Sequence, residues 1–144
     1  MTAFTDPADT RAPGLAFDLT AIAWLPRLSL AATFLYHGLT KLPDLAGGAA
    51  YLGMSVALFT LVALVEAGAG LALIAGGALR TRLGDLLTRA GGAGVAAIML
   101  GAIALVHWGQ WSVIPSESHP AGGMEFQVLM LALGLVYLVR GNRA

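Results

Sequence analysis

From Ser55 to Leu79 the chain carries one ionisable residue, Glu66, near the middle of an otherwise apolar run. A helix needs about 20 mostly apolar residues to cross the hydrocarbon core of a bilayer, and this segment supplies them. In lipid every backbone N–H and C=O must be satisfied within the segment, so the run is restricted to a helix. A carboxylate near the bilayer midplane costs about 2.5–3.5 kcal/mol on insertion scales, so Glu66 is expected to be paired or functional. Arg27, Lys41 and the histidines are the candidate partners.

Three further segments have the same character: Leu19 or Trp24 to Lys41, Ala90 to Ile114, and Ala121 to Val139. Pro26 either opens the first of these helices or kinks it. Only 11% of the 144 residues are charged, against about 25% in a soluble domain. A soluble bundle would also show a polar stripe on each helix, and these segments have none. The expected fold is therefore all-α, an integral membrane four-helix bundle. Breakers separate the segments: Pro43, Asp44, Gly47 and Gly48 after the first, Arg80 to Arg89 after the second, Pro115 to Gly123 after the third. A re-entrant or interfacial turn fits residues 46–52. Residues 1–18, with Asp6, Asp9 and Asp18 against Arg11, read as a polar tail without the basic start and apolar core of a signal peptide. Residues 19–141 form the four-span domain and 142–144 a short C-terminal tail.

Charge sets the orientation. All seven arginines fall in the first, third and fifth polar segments, whereas the other side has only Lys41. Positive residues favour the cytoplasm, so both termini are expected there. Trp24 and Tyr137 then mark the inner interface, and Tyr51, Trp108 and Trp111 the outer one. Nineteen glycines, and the small pairs Ala63–Ala67, Ala72–Gly76 and Ala97–Gly101, allow close helix contacts within the bundle or with a second copy, a homo-oligomer.

In this frame His37, Lys41, His107, Gln110 and Glu125 form one layer near the outer surface, with Glu66 beneath it. Phe34, His37 and Lys41 share a helix face, and His107, Gln110, Trp111 and Ile114 repeat at the same spacing. Arg27 lies two turns below Phe34 on roughly the same face. Each residue also has a plainer role: a histidine bonded to a backbone oxygen, a snorkelling lysine, or Glu125 at a helix N-terminus. Together they describe a polar pocket in an apolar chain. A quinone is a candidate occupant. His37, Lys41, His107 and Gln110 would meet its oxygens, Trp111 and Trp108 would pack on its ring, and Glu66 or Glu125 would accept protons. A lipid head group or a small solute fits the same residues. The chain has no cysteine and no His-x-x-x-His, so it carries no thiol redox centre and no metal motif. Zero net charge without a basic run argues against nucleic-acid binding.

The segment Arg27 to Lys41, ending Gly38-Leu-Thr-Lys41, resembles the opening of the DoxX-like family of small membrane proteins. Glu66-Ala-Gly-Ala-Gly70 with Gly76-Gly77, and Glu125 followed by an apolar helix closing at Arg140-Gly141, continue the resemblance over about Trp24 to Gly141. It implies a multi-pass protein of the bacterial inner membrane. It also implies association with quinol-oxidase, thiosulfate–quinone or oxidative-stress redox complexes. Two functions are then expected. One is a redox subunit that holds quinone and works with a soluble oxidoreductase. The other is a non-catalytic membrane anchor or assembly protein for such a partner. A small-solute transporter is a third, without the broken-helix repeat that would favour it.

Overall fold

The structure, a computed structural model, describes residues 19–144, and the expected polar tail of residues 1–18 lies outside that range. The described chain is mostly helical: α1 (Leu19–Lys41), a short α2 (Leu45–Tyr51), α3 (Val56–Ala78), α4 (Arg82–Ala102) and α5 (Glu125–Arg140). A single 3-10 turn links α1 to α2, and another, Gly141–Arg143, follows α5. By length and composition two stretches are able to cross a membrane, Val56–Ala78 and Arg82–His107.

Side-chain caps set several of these boundaries. Ser55 Oγ accepts from Leu58 N at 3.2 Å and Thr81 Oγ1 from Gly84 N at 3.2 Å, starting α3 and α4. Asp44 does the same for α2 through Gly47 N at 2.8 Å, so the turn expected over residues 46–52 is a short helix. α1 runs through Pro26 rather than starting at it.

The third expected span is shifted. Its helix starts at Arg82, not Ala90, because Thr81 caps it and two of the charges that suggest a loop, Asp85 and Arg89, are internally satisfied. Arg89 Nε donates to Asp85 at 2.7 Å, and Arg89 Nη1 donates to Leu138 O and Val139 O at 3.0 and 2.8 Å, closing the C-terminal end of α5. The helix also stops early. A π-helical turn, Ile103–His107, ends it, and Trp108 is extended. Residues 108–124 are an irregular loop, so Gln110, Trp111 and Ile114 do not share a helix face with His107. The fourth helix accordingly starts at Glu125 rather than Ala121.

α3 and α4 pack together at the centre; α1 lies on α3, α5 lies on α4, and α1 and α5 barely touch. The core between them holds Leu30, Phe34, Leu73, Val95, Met99 and Tyr137. Backbones approach where a side chain is missing. A Cβ on Gly38 would lie 2.5 Å from Ala67 N and 2.8 Å from Ala63 O, so the Ala63–Ala67 pair packs on α1. Ala97–Gly101 is different: Ala97 is exposed and the space beside Gly101 is empty. The outward faces are rich in exposed leucine, including Leu61, Leu64, Leu71, Leu86 and Leu100.

Candidate functional site

The gap between α1 and α5 opens into a cavity of about 770 Å³, backed by α3 and α4. Most of its wall is apolar, with Phe34, Phe59, Met99 and Met130 among the lining residues. Its polar lining includes His37 and Lys41 from α1, Glu66 from α3, His107 from the end of the π turn, and Gln127 from α5. Tyr51, Leu61, Leu105 and Phe126 border it and are exposed on the outer surface, so the cavity communicates with the space beside the helices.

Glu66 pairs with Lys41. The Nζ–Oε2 distance is 2.6 Å, and the side chains are 8% and 19% exposed, respectively. The contact depends on Gly38, whose missing Cβ lets α1 sit against α3 and brings Lys41, one turn on, alongside Glu66. Lys41 Nζ also donates to His37 O at 3.1 Å, which leaves one of its three hydrogens for a ligand. Glu66 Oε1 has no hydrogen bond among the described residues and is not sealed from the cavity. The pair thus offers one donor and one acceptor side by side.

His107 is fully engaged. Its Nδ1 lies 2.9 Å from Gly122 O, and a carbonyl only accepts, so the proton is on Nδ1. Nε2 lies 3.0 Å from Gln127 Nε2. The amide turns its nitrogen to the ring in this arrangement. It leaves Gln127 Oε1 buried without a partner among the described residues. His107 is therefore held by Gly122 and Gln127 and is not a free donor. Gly122, at φ 77°, adopts the left-handed conformation that turns the chain beneath the histidine. Gln127 sits beside Glu125 at the opening of the fourth span in the sequence, and only the position of His107 reveals its place in the cavity.

Gln110, Trp111 and Glu125 lie outside the cavity lining. Gln110 is built into the loop: Nε2 donates to Ser112 O at 2.9 Å and Ile114 O at 2.7 Å, and Oε1 accepts from Ser116 Oγ. Glu125 Oε2 accepts from Val113 N at 3.2 Å, fixing the same loop. Trp111 is 57% exposed.

Arg27 is buried at the other end of the bundle, apart from Glu66. Nη1 donates to Leu73 O at 3.0 Å and to Thr88 Oγ1 at 2.9 Å. Nη2 reaches Asn142 Oδ1 at 3.4 Å. Asn142 Nδ2 donates to Gly76 O at 2.8 Å and its backbone N to Asp85 Oδ1 at 2.9 Å. The C-terminal residues are thereby tied into the bundle. Tyr137 is not an interfacial anchor: it is 2% exposed, with the Arg27 guanidinium 4.8 Å above its ring.

No curated protein and no solved structure matches the chain. The family model described as DoxX matches residues 22–108, from the first helix through the histidine that ends the π turn. That match covers more than half of the sequence, including the Lys41–Glu66 pair and Arg27, and on it the chain belongs to the DoxX family.

Proposed function

We propose that this membrane protein of the DoxX family binds the head group of a quinone or quinol in the cavity between α1 and α5, as the membrane subunit of a redox complex. The observation that carries the reading is the Lys41–Glu66 pair, set in a large apolar cavity that reaches the exposed leucine-rich surface. A quinone has that polarity: an apolar tail suited to lipid and a ring with two polar oxygens. Lys41 and His37 are placed to donate to a carbonyl oxygen, and Glu66 Oε1 to accept from a quinol hydroxyl. His107 contributes through Gln127. Oxidation of a bound quinol releases two protons and two electrons. Glu66 takes one proton, the second passes to water at the open side of the cavity, and a soluble oxidoreductase takes both electrons, since the chain has no cysteine of its own. All four long helices cross the bacterial inner membrane in this reading, with both termini cytoplasmic.

The test is extraction of the purified protein, followed by quinone analysis by mass spectrometry. Near-equimolar quinone in the wild type, lost in His37→Ala and Glu66→Gln variants that still reach the membrane, supports the assignment. Unchanged quinone content in both variants removes it.

The buried Lys41–Glu66 contact also favours a second reading, a non-catalytic anchor in which the pair is internal glue. In that case the purified protein carries no quinone, Glu66→Gln lowers its abundance, and a soluble oxidoreductase co-purifies with it.

A further inference from the structure

Arg27 has an unusual environment for a buried cation. It is 5% exposed, and among the described residues no carboxylate lies within ion-pair distance; the two acid–base pairs are Lys41–Glu66 and Arg89–Asp85. Its partners are a carbonyl, a hydroxyl, an amide oxygen and two aromatic faces. A guanidinium has five N–H groups. Two on Nη1 and one on Nη2 are taken. The Nε–H and the second Nη2–H have no partner among the described residues. Nε and Nη2 together are the edge by which a guanidinium grips an oxyanion side-on through two parallel bonds.

Beside this edge lies a second cavity, of about 470 Å³. Trp24, Arg27, Gly77, Arg80, Thr81 and Asn142 line it, together with Ala78 and Ala144. Gly77 keeps it open: a Cβ there would sit 3.0 Å from Arg27 Nε and 2.9 Å from the Trp24 ring. Arg80 stands at the exposed rim and adds a second positive charge. Arg27 precedes Lys41 by fourteen residues, about 21 Å along a helix, so this cavity is remote from the one next to Glu66.

We propose that this second cavity binds a phosphate oxyanion, with Arg27 gripping it side-on and Arg80 closing over it. The phosphate belongs either to an anionic lipid head group or to free phosphate. The site is independent of the quinone reading, since it shares no lining residue with the other cavity. An anion supplies the charge that the buried guanidinium lacks among the described residues.

Native mass spectrometry of the full chain in detergent tests this, with added phosphatidylglycerol in one series and inorganic phosphate in the other. The expected result is one bound adduct per wild-type chain. Arg80→Ala, on the exposed rim, removes one charge-assisted contact and lowers occupancy about tenfold. Gly77→Ala fills the space beside Nε and lowers it similarly. A phosphatidylglycerol adduct alone identifies the lipid as the source; a phosphate adduct that competes with it identifies the free anion. The proposal is overturned if the wild type takes up neither probe. It is also overturned if both variants bind as the wild type does.

Discussion

Replacing Lys41 by methionine leaves the Glu66 carboxylate 8% exposed and without its counter-charge. Truncating one side of a buried pair is strongly destabilising, whereas replacing both sides by apolar groups of similar volume is often near neutral. Lys41→Met is therefore expected to cost about 3 kcal/mol. Adding Glu66→Leu to it should recover most of that loss. Chemical unfolding in detergent micelles measures both, and losses that simply add would mean that the pair is not coupled. Quinone analysis of the same double variant separates stability from ligand binding: a stable bundle without quinone places the pair in the ligand site. Thr88 offers a second test at this scale. Its hydroxyl accepts from Arg27 and donates to Asn142 Oδ1 while fully buried. Thr88→Val leaves both partners short and should cost about 1–3 kcal/mol, and Thr88→Ser should behave like the wild type in the same unfolding measurement.

The helices are held by missing side chains as much as by present ones. A Cβ on Gly92 would lie 2.5 Å from Leu138 N and 2.6 Å from Gly134 O, both backbone atoms of α5 that cannot swing aside. Gly92→Ala should push α4 from α5 and cost about 1–3 kcal/mol. Gly68, in α3, has nothing within 4 Å, so Gly68→Ala should be neutral or stabilise by up to about 1 kcal/mol through helix propensity. Melting temperatures of the two variants check the contrast, and equal shifts would contradict this packing. The helices themselves were legible as apolar runs, because lipid-length hydrophobicity is a property of the segment alone. Their ends were less so. Arg82, Asp85 and Arg89 look like a loop in one dimension, yet they fold into α4, where Asp85 and Arg89 pair with each other and with Asn142 N and Leu138 O, partners from the remote end of the chain. Gln110 and Trp111 look helical by spacing from His107, yet the π turn, the extended Trp108 and Gly109 at φ 97° end the helix first.

Across the whole molecule, helical phase was enough to put Phe34, His37 and Lys41 on one face, and all three line the large cavity. It could not say that α1 and α5 stand apart, because helix order is set by contacts between remote segments such as Gly38 on Ala67 and Gly92 on Leu138. That separation makes the cavity, and it recruits Gln127 in place of Gln110. The same architecture gathers Arg27 and Arg89 at the end of the bundle where the C-terminal residues lie: Arg89 bonds the end of α5, and Arg27 meets Asn142. The loop from Trp108 to Met124, which carries Gly122 beneath His107, lies at the other end of α4 and α5. Positive charge favours the cytoplasmic side, so the arginine end should face inward and the loop outward. The absence of cysteine from the chain makes this directly testable with single introduced thiols. In intact cells a membrane-impermeant maleimide should label Glu117→Cys, in the exposed loop, and should leave Ala144→Cys unlabelled until the membrane is broken. The opposite pattern would invert the protein and put the Lys41–Glu66 cavity near the cytoplasmic leaflet. Labelling of both sites in intact cells would place the two ends on the same side of the membrane, which an odd number of crossings between residues 117 and 144 forbids.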